Sequence, residues 1–200
     1  IPLFEQNGFV ISLDYYVYEK AFQWLQKFSD QLPTDFRISL NVSPLHFEEP
    51  EIFVKKIREL IRTYHVDTFR LTFEITESTY VNNTEAVNCV IRGLKQHNIQ
   101  ISMDDFGSGY SSLNTLKDLL FNEVKIDRKF LGDSLTENAK IVLQEVFHML
   151  KRMGKSIVCE GVETEDIAEF LKKEGCDEIQ EFLYYRPMCE EDFEKLLHTP

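Results

Sequence analysis

The sequence predicts an α/β fold: strand–helix units repeated around a parallel sheet, in the manner of a parallel α/β barrel. Three observations carry this prediction. Segments with a helical hydrophobic period alternate with short β-rich runs along the whole chain. Six such runs occur, each with a polar residue at or near its end. No low-complexity stretch or linker divides the chain, so one domain over residues 1–200 is expected. Two hundred residues bury a sizeable core but fall short of the roughly 250 typical of a closed eight-stranded barrel.

The elements follow in order. Val17, Ala21, Trp24, Leu25 and Phe28 share one helical face. A β-run from Arg37 to Val42 comes next, then a helix with Phe53, Ile57, Leu60, Ile61 and Tyr64 on one side. The run from Phe69 to Ile75 precedes a third stripe, Val87, Val90, Ile91 and Leu94. Two runs then appear, Ile99 to Met103 and Glu123 to Ile126, before a stripe of Val142, Val146, Met149 and Met153. After the run Ser156 to Cys159, Thr164 is placed to cap a helix carrying Ile167, Phe170 and Leu171. The last run, Glu178 to Tyr185, leads to a closing helix containing Asp192, with Phe193, Leu196 and Leu197 on its apolar side. Gly154 and Gly175 fall where helix C-termini need a left-handed residue.

Composition narrows function. The net charge of −12 argues against a broad basic groove, so no nucleic-acid polymer is expected as partner. A small phosphate ligand remains compatible with an acidic chain if metal ions neutralise its site. The cysteines Cys89, Cys159, Cys176 and Cys189 form no CxxC pair and read as free, buried thiols in a reducing, cytoplasmic compartment. No apolar run is long enough to span a bilayer, no signal peptide opens the chain, and no membrane contact is expected. The five histidines lack metal-binding spacing and read as structural. Glu48, Glu49 and Glu51, like Glu190, Glu191 and Asp192, read as acidic first turns of helices. Phe182, Tyr184 and Tyr185 suit either base stacking or core packing. The start at Ile1-Pro2-Leu3, without an initiator Met, reads as part of something longer.

The strand ends carry the chemistry. Successive runs deliver Asn41, Glu74, Asp104 with Asp105, Lys125, Glu160 and Gln180. In α/β barrels the active site gathers at the C-terminal ends of strands. Oxygen donors of this kind suit Mg²⁺, Mn²⁺ or Ca²⁺ rather than zinc. Adjacent carboxylates can bridge two ions, the arrangement that clamps an in-line phosphoryl displacement. A neighbouring lysine can hold water or a phosphate oxygen, and a glutamate can accept a proton. Each residue also has a plainer reading. Glu74 suits a solvated or salt-bridged strand residue, Asp104-Asp105-Phe106-Gly107 a turn, Asn41 a cap or Asx turn, and Lys125 with Asp127 a surface pair. Their shared position at successive strand ends favours the joint functional reading.

Read as motifs, these residues resemble a known family. Asn41-Val42-Ser43, Glu74-Ile75-Thr76-Glu77, Asp104-Asp105-Phe106-Gly107-Ser108-Gly109-Tyr110-Ser111-Ser112-Leu113, Val124-Lys125-Ile126-Asp127 and Glu160-Gly161-Val162-Glu163-Thr164 match, in order, the motifs of EAL domains. Gly175-Cys176-Asp177, Gln180 and Arg186-Pro187-Met188 continue the match, and Ile1-Pro2-Leu3 with Leu13-Asp14 resembles the stretch after the family's signature strand.

The resemblance implies a TIM-type (β/α) barrel and metal-dependent hydrolysis of cyclic-di-GMP to pGpG, with Mg²⁺ or Mn²⁺ at a two-metal site, in bacterial signalling. It implies Asn41, Glu74 and Asp104 as ligands of the first metal. Asp104 then bridges to the second metal, which Asp105 also binds. Lys125 is implied to hold the attacking water, and Glu160 to act as general base or second-metal ligand. Glu77 is implied to anchor the loop Phe106 to Leu113, Gln180 and Asp127 to support the site, and Ser108, Arg186 and Pro187 to meet substrate. A homodimer, and an upstream sensor or GGDEF domain, are expected partners besides cyclic-di-GMP.

Two departures stand out. The Glu-Ala-Leu signature itself lies outside this sequence, so six of eight expected strands are present and the segment alone is expected to be inactive. Glu181 stands where the family usually has Gly, and Ser108 replaces a usual Thr. These departures motivate the alternative of an inactive domain that senses cyclic-di-GMP or docks a protein.

Overall fold

The computed structural model describes residues 2–109, 120–131, 135–180 and 185–197. They fall into two compact units, divided within the third strand between Met103 and Asp104. Expectations for Tyr110 to Leu113, Glu181, Phe182, Tyr184 and His198 lie outside the described residues.

The first unit opens with α1 (Pro2–Gln6) and α2 (Phe9–Phe28), followed by β1 (Ile38–Asn41) and a 3₁₀ turn (Pro44–Phe47). Then come α3 (Pro50–Tyr64), a second 3₁₀ turn (Thr68–Arg70), β2 (Leu71–Thr76), α4 (Glu77–Asn82) and α5 (Thr84–Lys95). The start of β3 (Gln100–Phe106) completes it. The strands lie in the order β1-β2-β3. β1 and β2 are parallel, with Ile38 opposite Leu71 and Asn41 opposite Glu74. Leu71, Phe73 and Ile75 are fully buried, and Thr72 and Glu74 nearly so, as expected of a parallel strand covered on both faces. Phe53, Ile57 and Leu60 of α3 and Val87, Val90, Ile91 and Leu94 of α5 are buried, as their spacing predicts. Gly93 permits their close approach, since a Cβ there would lie 2.9 Å from the Val54 methyls. In α2 the predicted face is corrected: Val17 is 46% exposed, and Val10, Tyr18 and Phe22 join Trp24, Leu25 and Phe28 inside.

The second unit holds the end of β3, β4 (Glu123–Ile126), α6 (Arg128–Leu131), α7 (Glu137–Arg152) and β5 (Ser156–Glu160). It continues with α8 (Glu165–Glu174), β6 (Glu178–Gln180) and α9 (Glu190–Leu197). Here the order is β3-β4-β5-β6. β4, β5 and β6 pair in parallel, with Lys125 opposite Val158 and Glu160 opposite Gln180. Thr164 caps α8 by accepting the Ile167 N–H, and Gly175 ends that helix in the left-handed region at φ 98°. The stripe predicted for α7 is shifted by one residue. Leu143, Phe147 and Leu150 are buried while Val142 is 48% exposed, because both sets share the helical period and only packing chooses between them.

The strand–helix alternation and parallel pairing give the predicted α/β class. Three strands run further than expected, β2 to Thr76, β3 to Phe106 and β5 to Glu160, while β1 stops one residue short at Asn41. Polar residues expected just beyond the strands thus lie within them.

Candidate functional site

In the first unit, Asn41 and Glu74 are register partners at the C-terminal ends of β1 and β2. Glu74 is 7% exposed, contrary to the solvated alternative for a lone strand glutamate. Thr76 caps α4, its hydroxyl oxygen accepting the Thr79 N–H, so the chain turns into a helix that starts at Glu77. Glu77 is 1% exposed. Two residues that sequence reasoning passed over hold the end of β1. The Tyr18 hydroxyl donates to the Asn41 carbonyl at 2.6 Å, and Asp14 Oδ2 accepts the Ser43 N–H at 3.2 Å. The same Asp14 oxygen lies 2.9 Å from His46 Nε2, which gives the structural reading of that histidine its partner. The available signal was the four-residue spacing of Asp14 and Tyr18, which places them on one helix face.

In the second unit, Asp104 and Asp105 end β3, Lys125 lies in β4 and Glu160 ends β5. Consecutive strand residues ordinarily point to opposite faces. Asp105 breaks that alternation with φ 56°, a left-handed conformation that Asp tolerates better than most residues. Carboxylate oxygens of Asp104, Asp105 and Glu160 consequently lie within 4.8 Å of one another. Such a backbone costs of order 1–3 kcal/mol and persists where surrounding structure enforces it. The turn alternative for Asp104-Asp105 gives way accordingly, since both residues belong to the strand and the turn follows at Gly107.

Lys125 is 3% exposed, which excludes the surface-pair alternative. Its Nζ lies 2.6 Å from Glu160 Oε1 and 3.2 Å from Asp104 Oδ1. Asp127 donates its N–H to the Phe106 carbonyl at 3.1 Å, and its Oδ1 accepts the Lys129 N–H at 2.6 Å. Its carboxylate also interacts with that of Asp105. Burial, then the Asp104 charge and the Asp127 contact, push the Asp105 carboxyl up to about 6. Ser108 is tied to the site through its N–H, which donates to the Asp105 carbonyl at 3.1 Å. Glu160 and Gln180 border a cavity of about 550 Å³ whose other walls are Tyr185, Arg186, Pro187, Met188 and Phe193. The structure therefore gathers Asp104, Asp105, Lys125, Glu160 and Asp127 tightly. It sets Gln180, Arg186 and Pro187 around the adjoining cavity.

A sequence profile of the EAL domain matches residues 1–187. The chain belongs to the EAL domain family. This EAL domain is 34% identical over 189 residues to the bifunctional diguanylate cyclase/cyclic di-GMP phosphodiesterase MucR of Pseudomonas aeruginosa, covering 94% of this chain and 27% of MucR. It is 32% identical over 199 residues to a cyclic di-GMP phosphodiesterase of the same organism, covering 98% of this chain and 33% of that protein. The chain thus spans about a third or less of these curated relatives. The solved PaMucR phosphodiesterase in its c-di-GMP complex superposes with a TM-score of 0.88 at 33% identity, covering 96% of this chain and 78% of that one. The barrel-type α/β fold of the family is thereby shared.

The donor set of this EAL domain fits a divalent cation. Asp104 Oδ1 is buried, its 3.2 Å ion-pair contact with Lys125 lacks hydrogen-bond geometry, and three carboxylates crowd around that ammonium. A hard cation with oxygen ligands would supply the compensating positive charge. The raised Asp105 carboxyl records the same excess of negative charge.

Proposed function

We propose that this domain hydrolyses cyclic-di-GMP to pGpG with Mg²⁺ or Mn²⁺. The carrying observation is the Asp104–Asp105–Glu160 cluster with Lys125 buried in its midst, on a chain of the EAL family. The names of its relatives as cyclic di-GMP phosphodiesterases support the substrate.

In this reading Asp104, Asp105 and Glu160 would hold the two divalent metals that the family motifs imply. The roles of Asn41 and Glu74 as first-metal ligands rest on their match to the family motifs. The bound metal supplies charge for the phosphoryl oxygens and a more acidic water. Lys125, fixed by two carboxylates, orients the attacking water through its ammonium protons. Glu160, 2.6 Å from that ammonium, takes the proton the water loses. Ser108, Arg186 and Pro187 bind substrate, the last two from the wall of the cavity beside Glu160, where Gln180 supports the site. The role of Glu77 as a loop anchor likewise rests on its match to the family motif, and Asp127 orients Asp105. Homodimerisation, regulation by a sensor or GGDEF domain, and a cytoplasmic setting belong to the same reading. No helix among the described residues is long and apolar enough to cross a membrane.

The test is release of pGpG from cyclic-di-GMP by the protein that contains these residues, with and without Mn²⁺. Metal-dependent release supports the proposal. Nucleotide binding without turnover at saturating metal would overturn it in favour of a sensor.

A further inference from the structure

The phosphodiesterase reading leaves a second cluster unused. Cys159 lies in β5, directly before Glu160, and is fully buried. Cys176 follows α8 and is partly exposed. The two thiols are neighbours that interact with each other. Cys176 Sγ is further positioned 3.0 Å from the Glu178 carbonyl oxygen and 3.6 Å from that of Ile157. The adjacent backbone is pinned to the same strand, for Asp177 N–H donates to the Ile157 carbonyl at 3.0 Å. Cys176 also lines a cavity of about 520 Å³ together with Lys172 and Glu178, so a small oxidant can reach it. The remaining cysteines, Cys89 and Cys189, are free thiols but exposed, which corrects the expectation that all four are buried.

We infer that Cys159 and Cys176 are a modification site: a thiol pair that a peroxide-class oxidant converts reversibly to a disulfide, loosening the metal site through Glu160. Cys176 reacts first because it is the accessible member. Its thiolate attacks hydrogen peroxide, forming an S–O bond as the O–O bond breaks and hydroxide leaves. The Cys159 sulfur then attacks the sulfenic sulfur, forming the S–S bond as the S–O bond breaks, and its proton leaves with the hydroxide as water. In sum, two thiols and one peroxide give one disulfide and two waters, with two electrons passing from sulfur to peroxide.

The consequence for the site follows from geometry. A disulfide draws the sulfurs from non-bonded separation to about 2.05 Å with a fixed dihedral, and the strand must yield to allow it. Side chains alternate along a strand, so Cys159 and Glu160 face opposite sides of β5 while sharing one peptide unit. Movement that satisfies the disulfide therefore re-aims Glu160, whereas metal–ligand distances are expected within about 0.2 Å of their usual values. This consequence rests on the reading of Glu160 as a metal ligand; disulfide formation itself does not.

The experiment uses the full protein carrying Cys89→Ser and Cys189→Ser, treated with hydrogen peroxide, alongside the wild-type chain. Intact mass and peptide mapping are expected to show a loss of two hydrogens and a Cys159–Cys176 crosslink, both reversed by dithiothreitol. Mn²⁺ titration is expected to show at least tenfold weaker binding in the oxidised form. Further replacement by Cys176→Ser is expected to abolish both effects and leave Mn²⁺ binding at its reduced level. In the wild-type chain, crosslinks running only through Cys89 or Cys189 overturn the site, as does a pair that stays reduced or oxidises only to separate acids. A crosslink that leaves Mn²⁺ affinity unchanged overturns the coupling to Glu160. A reduced protein that binds no Mn²⁺ overturns the phosphodiesterase reading, and the mass shift then decides on the disulfide alone.

Discussion

Replacing Lys125 by methionine separates the structural and chemical duties of the one cation buried among the site carboxylates. Its side chain is 4% exposed and those of Asp104 and Glu160 are 15% and 22% exposed, so the bridge is largely desolvated. Removing one partner of a buried ion pair costs about 3–5 kcal/mol. The residual exposure of the acids places this case near about 3 kcal/mol, or about 6–12 °C in melting temperature for a chain of this size. That loss applies to the metal-free protein. With Mn²⁺ bound the carboxylates regain a counter-charge, so Mn²⁺ should raise the melting temperature of Lys125→Met more than that of wild type. The variant should also bind Mn²⁺ more tightly, because no ammonium competes for Asp104 and Glu160. Turnover should nevertheless fall by about 10²–10⁴-fold, the usual scale for a positioned proton-transfer or water-holding group. Thermal melting in EDTA and in Mn²⁺, calorimetric titration and pGpG release measure the three quantities. Equal melting of the two metal-free proteins, or weaker Mn²⁺ binding by the variant, would refute this account of Lys125.

The remaining predictions concern Asp105 and Gly161. Asp105 titrates at about 6 in the folded protein against an ordinary 3.8, so its contribution to stability is fully present below about pH 4 and is lost as pH rises through about 6. Metal-free Asp105→Asn should therefore melt above wild type at pH 7.5, with the gap closing towards pH 4, and Mn²⁺ should stabilise the variant less. A gap that is constant with pH would mean that Asp105 is not held up by its neighbours. Gly161, directly after Glu160, has φ 73°, and a Cβ there would collide with the Arg128 side chain. Gly161→Ala should cost about 1–3 kcal/mol in urea unfolding and weaken Mn²⁺ binding. Unchanged stability would show that the loop relaxes at no cost.

Much of this protein is legible without coordinates. Hydrophobic period and alternation give the α/β class, the six strands and the polar strand ends, because buried strands and helix faces must be apolar wherever they occur. The strand-end residues Asn41, Glu74, Lys125, Glu160 and Gln180 stand out for the same reason, as polar breaks in apolar runs. The ordered motifs then give the family.

Other features belong to tertiary structure. Local pattern cannot choose between two helical stripes one residue apart, so α7 buries Leu143, Phe147 and Leu150 only because packing selects them. The left-handed backbone at Asp105 is likewise invisible in sequence, since an isolated Asp has no reason to accept its cost. The burial of Lys125 between Asp104 and Glu160 is another such feature, for strands are aligned by pairing rather than by spacing along the chain. Tyr18 and Asp14 reach the end of β1 only once α2 is laid against it. Sequence by itself determined which residues are available for metal chemistry, because residue type sets what can ligate or ionise. Tertiary structure decided which of them share a site and a charge, because electrostatic coupling depends on distances of a few ångströms and on exclusion of water.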